Sequence, residues 1–466
     1  MATQPGYLSE DTICSIATEL GGALSIIRVS GPQAFSSLNR LTRTLTSSQS
    51  EPRKLIRAVL YLENNHPIDD SLFVRFIQPH SYTGEDLVEY HTHGGSFISH
   101  QIIHALLEQG LRQALPGEFS FRAVRNGKMT LFQAQAVVDL ISASNEHAVA
   151  IALEKMSGLQ NHWIADIATR LRKLAVLAEV GIDFSDQDID EISLPRLKEQ
   201  LIPLSSTLEH LCQSYHQGFR LQEGIRVTFI GLPNAGKSTF FNALLGEDRS
   251  IVSHLAGTTR DIVREKLTLQ GKGKTITLRL EDTAGLRITD HPIEKMGIER
   301  THQAALEADL ILFIVDPFAP FSSTQEQWEI LKGLSQKTIG IVTKIDLASS
   351  SQVQNFLSLM EPLGISQWVK TSAITGEGIQ NAIQAITGLC EKWTQRNGGE
   401  VILTRVEHFR AVSLALQDLN RAKNSSALEL FASDIQQSLS SLGPLIGDTL
   451  PDDILEKIFS NFCIGK

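Results

Sequence analysis

One octapeptide constrains the fold of this 466-residue chain more than any other stretch: Gly231-Leu232-Pro233-Asn234-Ala235-Gly236-Lys237-Ser238. It fits the pattern G-x-x-x-x-G-K-[ST] and follows the apolar run Ile225, Val227, Phe229, Ile230. A strand must lead into such a loop, whose glycines let backbone N–H groups curl around phosphates. Lys237 reaches the outer phosphates, and the Ser238 hydroxyl can ligate Mg²⁺. The loop calls for a nucleoside triphosphate and a P-loop sheet. It does not choose the base.

Four further elements follow in a fixed order. Gly257-Thr258-Thr259-Arg260-Asp261 supplies a threonine that can close over Mg²⁺ and the γ-phosphate. Asp282-Thr283-Ala284-Gly285 follows the strand-like Thr275 to Glu281; its carboxylate can hold a Mg²⁺ water and its glycine N–H can sense the γ-phosphate. Thr343-Lys344-Ile345-Asp346 follows the apolar run Ile339 to Val342. Asp346 can accept from guanine N1–H and the exocyclic amine, an edge adenine does not present, and the Lys344 stem can cover the base. Thr371-Ser372-Ala373 can offer a backbone N–H to the guanine oxygen. The ordered set selects GTP over ATP. The expected GTP contacts are Asn234, Ala235, Gly236, Lys237, Ser238 and Thr239, then Ser253, His254, Leu255, Ala256, Gly257, Thr258 and Thr259. Asp282, Thr283, Ala284 and Gly285 come next, followed by Thr343, Lys344, Ile345 and Asp346, and finally Ser372, Ala373 and Ile374.

Two details separate this site from a plain switch GTPase. Leu286 stands where Ras-like enzymes carry a water-orienting glutamine, and a leucine cannot polarise water. Glu294, Glu281 and Asp290 are the carboxylates near it in sequence. Asn234 is either a turn residue after Pro233 or a ligand for a monovalent cation that adds positive charge beside the phosphates. Spacing alone leaves both readings open. Thr343 replaces the usual first asparagine of Asn-Lys-x-Asp; its hydroxyl can still bond locally, so guanine choice should stand while affinity shifts.

At this length two to four domains are expected. Residues 1–123 read as mixed α/β, with short strands at Ile26–Val29 and Ser71–Phe76. Residues 124–217 turn helical, with Ile164, Ile167, Leu171, Leu174 and Leu177 on one face. Residues 218–388 alternate strand-like and helix-like runs, as a parallel α/β sheet does, with strands near 225–230, 275–281, 309–315 and 338–343. After the polar connection Gln395 to Glu400, helical spacing returns over 389–466 at Phe409, Val412, Leu416 and Leu419, then Ile435, Leu439 and Leu442. The α/β segment thus reads as an insertion between two helical stretches that pack together. No apolar run reaches membrane-spanning length, and Met1 to Glu10 has no signal-peptide core, so a cytoplasmic protein with no membrane partner is expected. Cys14, Cys212, Cys390 and Cys463 lie far apart and suggest neither disulfides nor zinc. A net charge of −10 argues against indiscriminate nucleic-acid coating.

The ends of the chain carry a second set of motifs. The first domain holds Ser81-Tyr82-Thr83-Gly84-Glu85-Asp86, Glu89, His93-Gly94-Gly95 and Pro116-Gly117-Glu118-Phe119-Ser120. Arg122-Ala123, Asn126-Gly127-Lys128 and Leu131-x-Gln133-Ala134-x-Ala136 follow, and the chain ends in Phe462-Cys463-Ile464-Gly465-Lys466. Over essentially its whole length the chain resembles the tRNA-modification GTPase MnmE (TrmE) family. The resemblance implies an α/β multi-domain fold: an N-terminal α/β folate-binding domain that dimerises, a discontinuous α-helical domain, and an inserted Ras-like P-loop GTPase domain. It implies a homodimer that forms a heterotetramer with the FAD-dependent partner MnmG. Together these add an aminomethyl or carboxymethylaminomethyl group at C5 of the tRNA wobble uridine. A tetrahydrofolate derivative such as 5-formyltetrahydrofolate supplies the one-carbon unit. The resemblance further implies that GTP hydrolysis is potassium-activated and drives a G-domain dimerisation cycle.

Residue roles follow from the same resemblance. Ser238 and Thr259 would ligate Mg²⁺; Asn234, Ser253, Leu255 and Thr258 would surround K⁺. Glu294 aligns with the catalytic glutamate that orients water. Arg28, Glu89, Lys128 and Lys466 align with folate-contacting positions. By residue type alone, Arg28 is an ordinary strand-edge charge, Glu89 and Lys128 are solvated, and Lys466 is a chain end. Cys463 stays open between a thiol near the folate and a packing residue. Two stretches depart from the family. Glu19-Leu20-Gly21-Gly22-Ala23-Leu24-Ser25 replaces a Pro-Pro-Gly-x-Gly-Gly run, and Thr404-Arg405-Val406-Glu407-His408 replaces Asn-x-Arg-His.

Overall fold

A computed structural model describes residues 6–43, 51–62, 64–183, 193–246, 251–253, 265–271, 274–280, 294–394, 401–446, 452–460, 462 and 465. The chain forms two compact units. One comprises Met1–Ile141, Leu153–Leu197 and Arg421–Lys466; the other comprises Ser142–Ala152 and Lys198–Asn420.

In the first unit, β1 (Ile13–Ile16), β2 (Leu24–Ser30), β3 (Ile56–Tyr61), β4 (Pro67–Phe76), β5 (Leu87–His93) and β6 (Arg112–Gln113) form one sheet in the order β3-β4-β5-β2-β1-β6. All pairings are antiparallel except β1 with β6. The expected strands at Ile26–Val29 and Ser71–Phe76 lie inside β2 and β4. Strand alternation sends Ile27, Val29, Val88 and Tyr90 into a core with Leu38, Leu41, Ile102 and Leu106 of the helices Ala34–Thr42 and Ser96–Glu108. The same period places Arg28 and Glu89, direct register partners, on the opposite face. Also in this unit, the helices Leu159–Asp183 and Leu428–Ile446 pack together through stripes that include Ile164, Leu171, Leu174, Ile435 and Leu442. The helix Asp452–Phe459 rests on the helix Glu118–Arg125, with the Phe459 ring edge-on to Phe121. Gly117 permits the approach, since a Cβ there would stand 2.6 Å from the Phe459 carbonyl oxygen.

The second unit holds β7 (Ile225–Ile230), β8 (Ile251–Ser253), β9 (Glu265–Gly271), β10 (Lys274–Leu280), β11 (Leu310–Val315), β12 (Thr338–Val342) and β13 (Trp368–Lys370). Their order is β13-β12-β11-β7-β10-β9-β8. The five strands from β13 to β10 run parallel, as the alternating pattern requires. β9 and β8 run antiparallel at the edge. Only two residues separate β9 from β10, too few for a parallel crossover. The helices Lys237–Leu245 and Ile379–Thr394 cover one face through Phe240, Leu244, Ile383 and Ile386. The helices Phe321–Ile330 and Ser350–Met360 cover the other through Trp328, Val353 and Phe356. β11, covered on both faces, is buried at every residue.

The helix Leu194–Glu223 leads into β7, and Gly224 ends it with φ +95°. Its last turns contact the helix Val406–Asn424, where Tyr215 stacks on Phe409 at 4.6 Å. The helical stretches before and after the α/β segment therefore meet inside each unit. Gln395 to Glu400 lie outside the described residues. Among the described residues, no helix is long and apolar enough to cross a membrane, and Cys14, Cys212 and Cys390 are unpaired thiols.

Candidate functional site

The P-loop forms where β7 stops. Gly231 must lack a side chain because a Cβ would stand 2.2 Å from the Ile314 carbonyl oxygen of β11. Asn234 has φ +62° and Gly236 φ +92°, so two left-handed residues fold the loop back before the helix opens at Lys237. Asparagine is among the few side chains that accept that conformation readily. The helix presents its unpaired N-terminal amides to the loop, the standard cradle for an anion. Lys237 Nζ donates to the carbonyls of Gly231 (2.8 Å) and Leu232 (2.9 Å), spanning the loop, and burial lowers its pKa. Ser238 and Thr239 occupy the first helical turn.

The segments expected to read the base come to the same edge. Thr343 follows β12 and is buried; its hydroxyl lies 2.7 Å from the Ala235 carbonyl oxygen and 3.1 Å from that of Val315. The departure from asparagine thus keeps the tie between this motif and the P-loop. Lys344, with φ +55°, donates to the Asn234 carbonyl at 2.9 Å and pairs with Asp316 at 2.7 Å. Asp346 is exposed. Thr371 and Ser372 are fully buried: Thr371 N donates to Val342 O and Ser372 N to Glu377 O. Ile374 is 80% exposed beyond them. The loop after β7, the segment after β12 and the segment after β13 all leave the C-terminal edge of a parallel sheet, where open α/β sheets bind ligands. Asp316 escaped the sequence reading; its signal is an acidic residue directly after the wholly buried β11.

Ser253 ends β8, opposite Lys266, and Glu294 is the first residue of the helix Glu294–Glu307. His254, Leu255, Ala256, Gly257, Thr258, Thr259, Asp282, Thr283, Ala284, Gly285 and Leu286 lie outside the described residues.

A second polar site lies on the N-terminal sheet, opposite its helices. Arg28 Nε and Nη2 meet Glu89 Oε1 at 2.9 and 2.8 Å, and Nη1 reaches the Gly465 carbonyl at 3.5 Å. The Arg28 guanidinium lies 5.0 Å from the Tyr82 ring centroid and 5.6 Å from that of Phe119. Gly465, with φ +93°, approaches β1 so closely that a Cβ would stand 2.2 Å from the Ile16 carbonyl oxygen. The Lys128 stem lies beside Gly84, and Asn126 donates to the Thr83 carbonyl at 2.7 Å. Arg28, Glu89 and the C-terminal segment therefore meet, and the Lys128 stem packs beside Gly84, two residues after the Tyr82 that flanks Arg28. Lys466 and Cys463 lie outside the described residues. The altered Gly21-Gly22 turn bonds to Gly94, where a Cβ would strike the Gly22 carbonyl at 1.9 Å.

A buried charge cluster, absent from the sequence reading, braces this site. Glu118 and Arg122 are both buried, lie one helical turn apart and pair at 2.9 Å. Arg122 also meets Glu85 (3.2 Å) and Asp11 (3.0 Å), and Arg112 joins Asp11 and Glu118. Glu85 in turn accepts from Ser30 of β2 at 2.7 Å. The hydrogen bond from Arg112 lowers the Asp11 pKa to about 2. Burial pushes the Cys14 thiol in β1 up to about 12, which suits a packing role.

Family models match both regions: "GTP-binding protein TrmE N-terminus" over residues 12–128 and "MnmE helical domain" over residues 131–463. A tRNA modification GTPase MnmE of Acetivibrio thermocellus is 34% identical over 98% of this chain and 99% of its own. Its counterpart in Protochlamydia amoebophila is 36% identical over 99% of each, and that of Chlamydia trachomatis 38% over 98% of this chain and 100% of its own. Identity at this level, carried end to end through both sites, has one consequence: the chain belongs to the tRNA modification GTPase MnmE family.

Proposed function

We propose that this chain is a GTP hydrolase of tRNA modification that acts at the wobble uridine with a FAD-dependent partner. The observation that carries the reading is the end-to-end family match combined with P-loop, Thr343–Asp346 and Ser372 at one sheet edge. GTP is the substrate and Mg²⁺ its companion. The first-turn position of Ser238 fits a Mg²⁺ ligand, to which Thr259 would be added. K⁺ is assigned to Asn234, Ser253, Leu255 and Thr258; the left-handed Asn234 stands within the phosphate loop, which fits such an ion. A bound cation there supplies positive charge beside the phosphates. Glu294, at the start of its helix, is assigned to orienting water in place of the glutamine that Leu286 replaces.

Arg28, Glu89, Lys128 and Lys466 are assigned to a tetrahydrofolate derivative. The Arg28–Glu89 pair, with Tyr82 and Phe119 rings beside it, fits a flat polar heterocycle: charged groups for its edge and ring faces for its plane. The folate supplies the one-carbon unit for the uridine C5. Two copies of the chain would pair through their first domains, join the flavoprotein in a heterotetramer, and work in the cytoplasm. The division into 1–123, 124–217, 218–388 and 389–466 belongs to the same proposal. Reconstitution with the flavoprotein, tetrahydrofolate, GTP and tRNA, read by nucleoside mass spectrometry, tests it. A modified wobble uridine that needs all four is expected. GTP turnover with unchanged uridine would favour a regulatory or ribosome-assembly GTPase. Modification independent of the flavoprotein would favour a folate enzyme with an appended G domain.

A further inference from the structure

β10 is the strand that leads toward Asp282-Thr283-Ala284-Gly285, ending two residues before it. Its alternation sends Ile276, Leu278 and Leu280 into the core, and Thr277 and Arg279 to the other face. There β10 meets the foot of the helix Leu194–Glu223. The Arg279 guanidinium lies 5.7 Å from the Phe219 ring centroid, and Arg226, its register partner on β7, lies at the same distance. One aromatic ring of the helix therefore sits against two neighbouring strands of the sheet. The contact continues upward. Phe219 lies 5.9 Å from Tyr215, and Tyr215 stacks on Phe409 of the helix Val406–Asn424 at 4.6 Å and 20°. Gly218, beside Phe219, lets the two helical segments close, since a Cβ there would stand 2.1 Å from the Leu403 carbonyl oxygen.

Two more ties hold β10 to this junction. Gly224 is pressed against the Thr277 carbonyl, where a Cβ would stand 2.8 Å away. Asn145 donates to the Thr277 hydroxyl at 3.2 Å and, through its own oxygen, accepts from Ala148 N in the helix Glu146–Met156. β7 has an independent anchor: Asp309 accepts from Arg220 Nε and Arg226 N. Asp309 thus fixes the foot of the helix beside Phe219, and Phe219 is the ring through which that foot touches β10. Packed side chains transmit shifts because they do not deform continuously.

From this arrangement we infer that Arg279, Phe219, Tyr215 and Phe409 form a ladder that reports the state of the nucleotide site to the helix Val406–Asn424. Arg279 and Phe219 are positioning residues, remote from the reacting atoms. The inference rests on the proposed GTP cycle but not on its chemistry at uridine. The test is amide hydrogen exchange of the full chain over Val406–Asn424, compared between GDP and a non-hydrolysable GTP analogue. The wild type should show a nucleotide-dependent difference in protection of on the order of 5-fold or more. Phe219→Leu should lose that difference while still binding both nucleotides, and Phe219→Tyr, which restores the ring, should regain it. Arg279→Met keeps a long apolar stem and should behave as Phe219→Leu; it carries the test if that variant fails to bind nucleotide. A difference that survives in Arg279→Met, or one missing from the wild type, overturns the ladder. A wild type that shows the difference but modifies no uridine overturns the proposed function and leaves the ladder supported.

Discussion

Thr343 shows how one substitution can keep the architecture of a motif while changing its chemistry. Its buried hydroxyl bonds toward Ala235 and Val315, so the P-loop and the base-reading segment stay joined without an asparagine. A threonine is legible in the sequence as a local hydrogen-bonder; that its partner is the P-loop depends on β7 and β12 both flanking β11. Asn234 is similar. Spacing offered a turn residue or a cation ligand, and its left-handed backbone is compatible with both. Leu286, whose apolar side chain cannot polarise water, leaves that task open among Glu294, Glu281 and Asp290, and only the family resemblance proposes Glu294 for it. Glu294→Ala should lower GTP turnover by roughly 10²-fold or more and leave GTP affinity unchanged, as removal of a group that orients water in the transition state does. Steady-state hydrolysis alongside equilibrium nucleotide binding checks this, and unchanged turnover would sink the assignment.

At the level of elements, periodicity did most of the work. The strands expected near 225–230, 275–281, 309–315 and 338–343 correspond to β7, β10, β11 and β12, and the 3.6-residue stripes correspond to helices. Pairing across distance was not legible, because it depends on which strands become neighbours. The helix Glu118–Arg125 is an example: its charged residues Glu118 and Arg122 are buried because Arg112, Glu85 and Asp11 converge on them. Asp11 makes this cluster testable by pH. Its pKa is held at about 2 against an ordinary 3.8, first by the Arg112 hydrogen bond. A depressed carboxyl adds stability that is complete above the unfolded value and fades as pH falls through the folded one. The thermal midpoint of the wild type should therefore exceed that of Asp11→Asn by a constant margin above pH about 4, narrowing toward pH about 2. A margin independent of pH across that window would refute the clasp.

For the whole molecule, the proposed cation dependence sets the cycle apart from an arginine-finger GTPase. Turnover should rise when K⁺ replaces Na⁺ at equal ionic strength, and Asn234→Ala should abolish that rise; equal rates in both salts would remove K⁺ from the mechanism. The sequence by itself determined the phosphate loop, the guanine-reading order, the segments of strand and helix, and the family. Each of these is encoded by neighbours along the chain, where fixed spacing and side-chain type decide the outcome. Only the tertiary structure decided that Arg28 meets Glu89 and the Gly465 carbonyl, although Arg28 and Gly465 are 437 positions apart. Only it set Phe219 against the arginines of two neighbouring strands and paired Asp316 with Lys344 beside the P-loop. Such contacts depend on sheet order and on close backbone approaches at Gly117, Gly218 and Gly465, which no local period records.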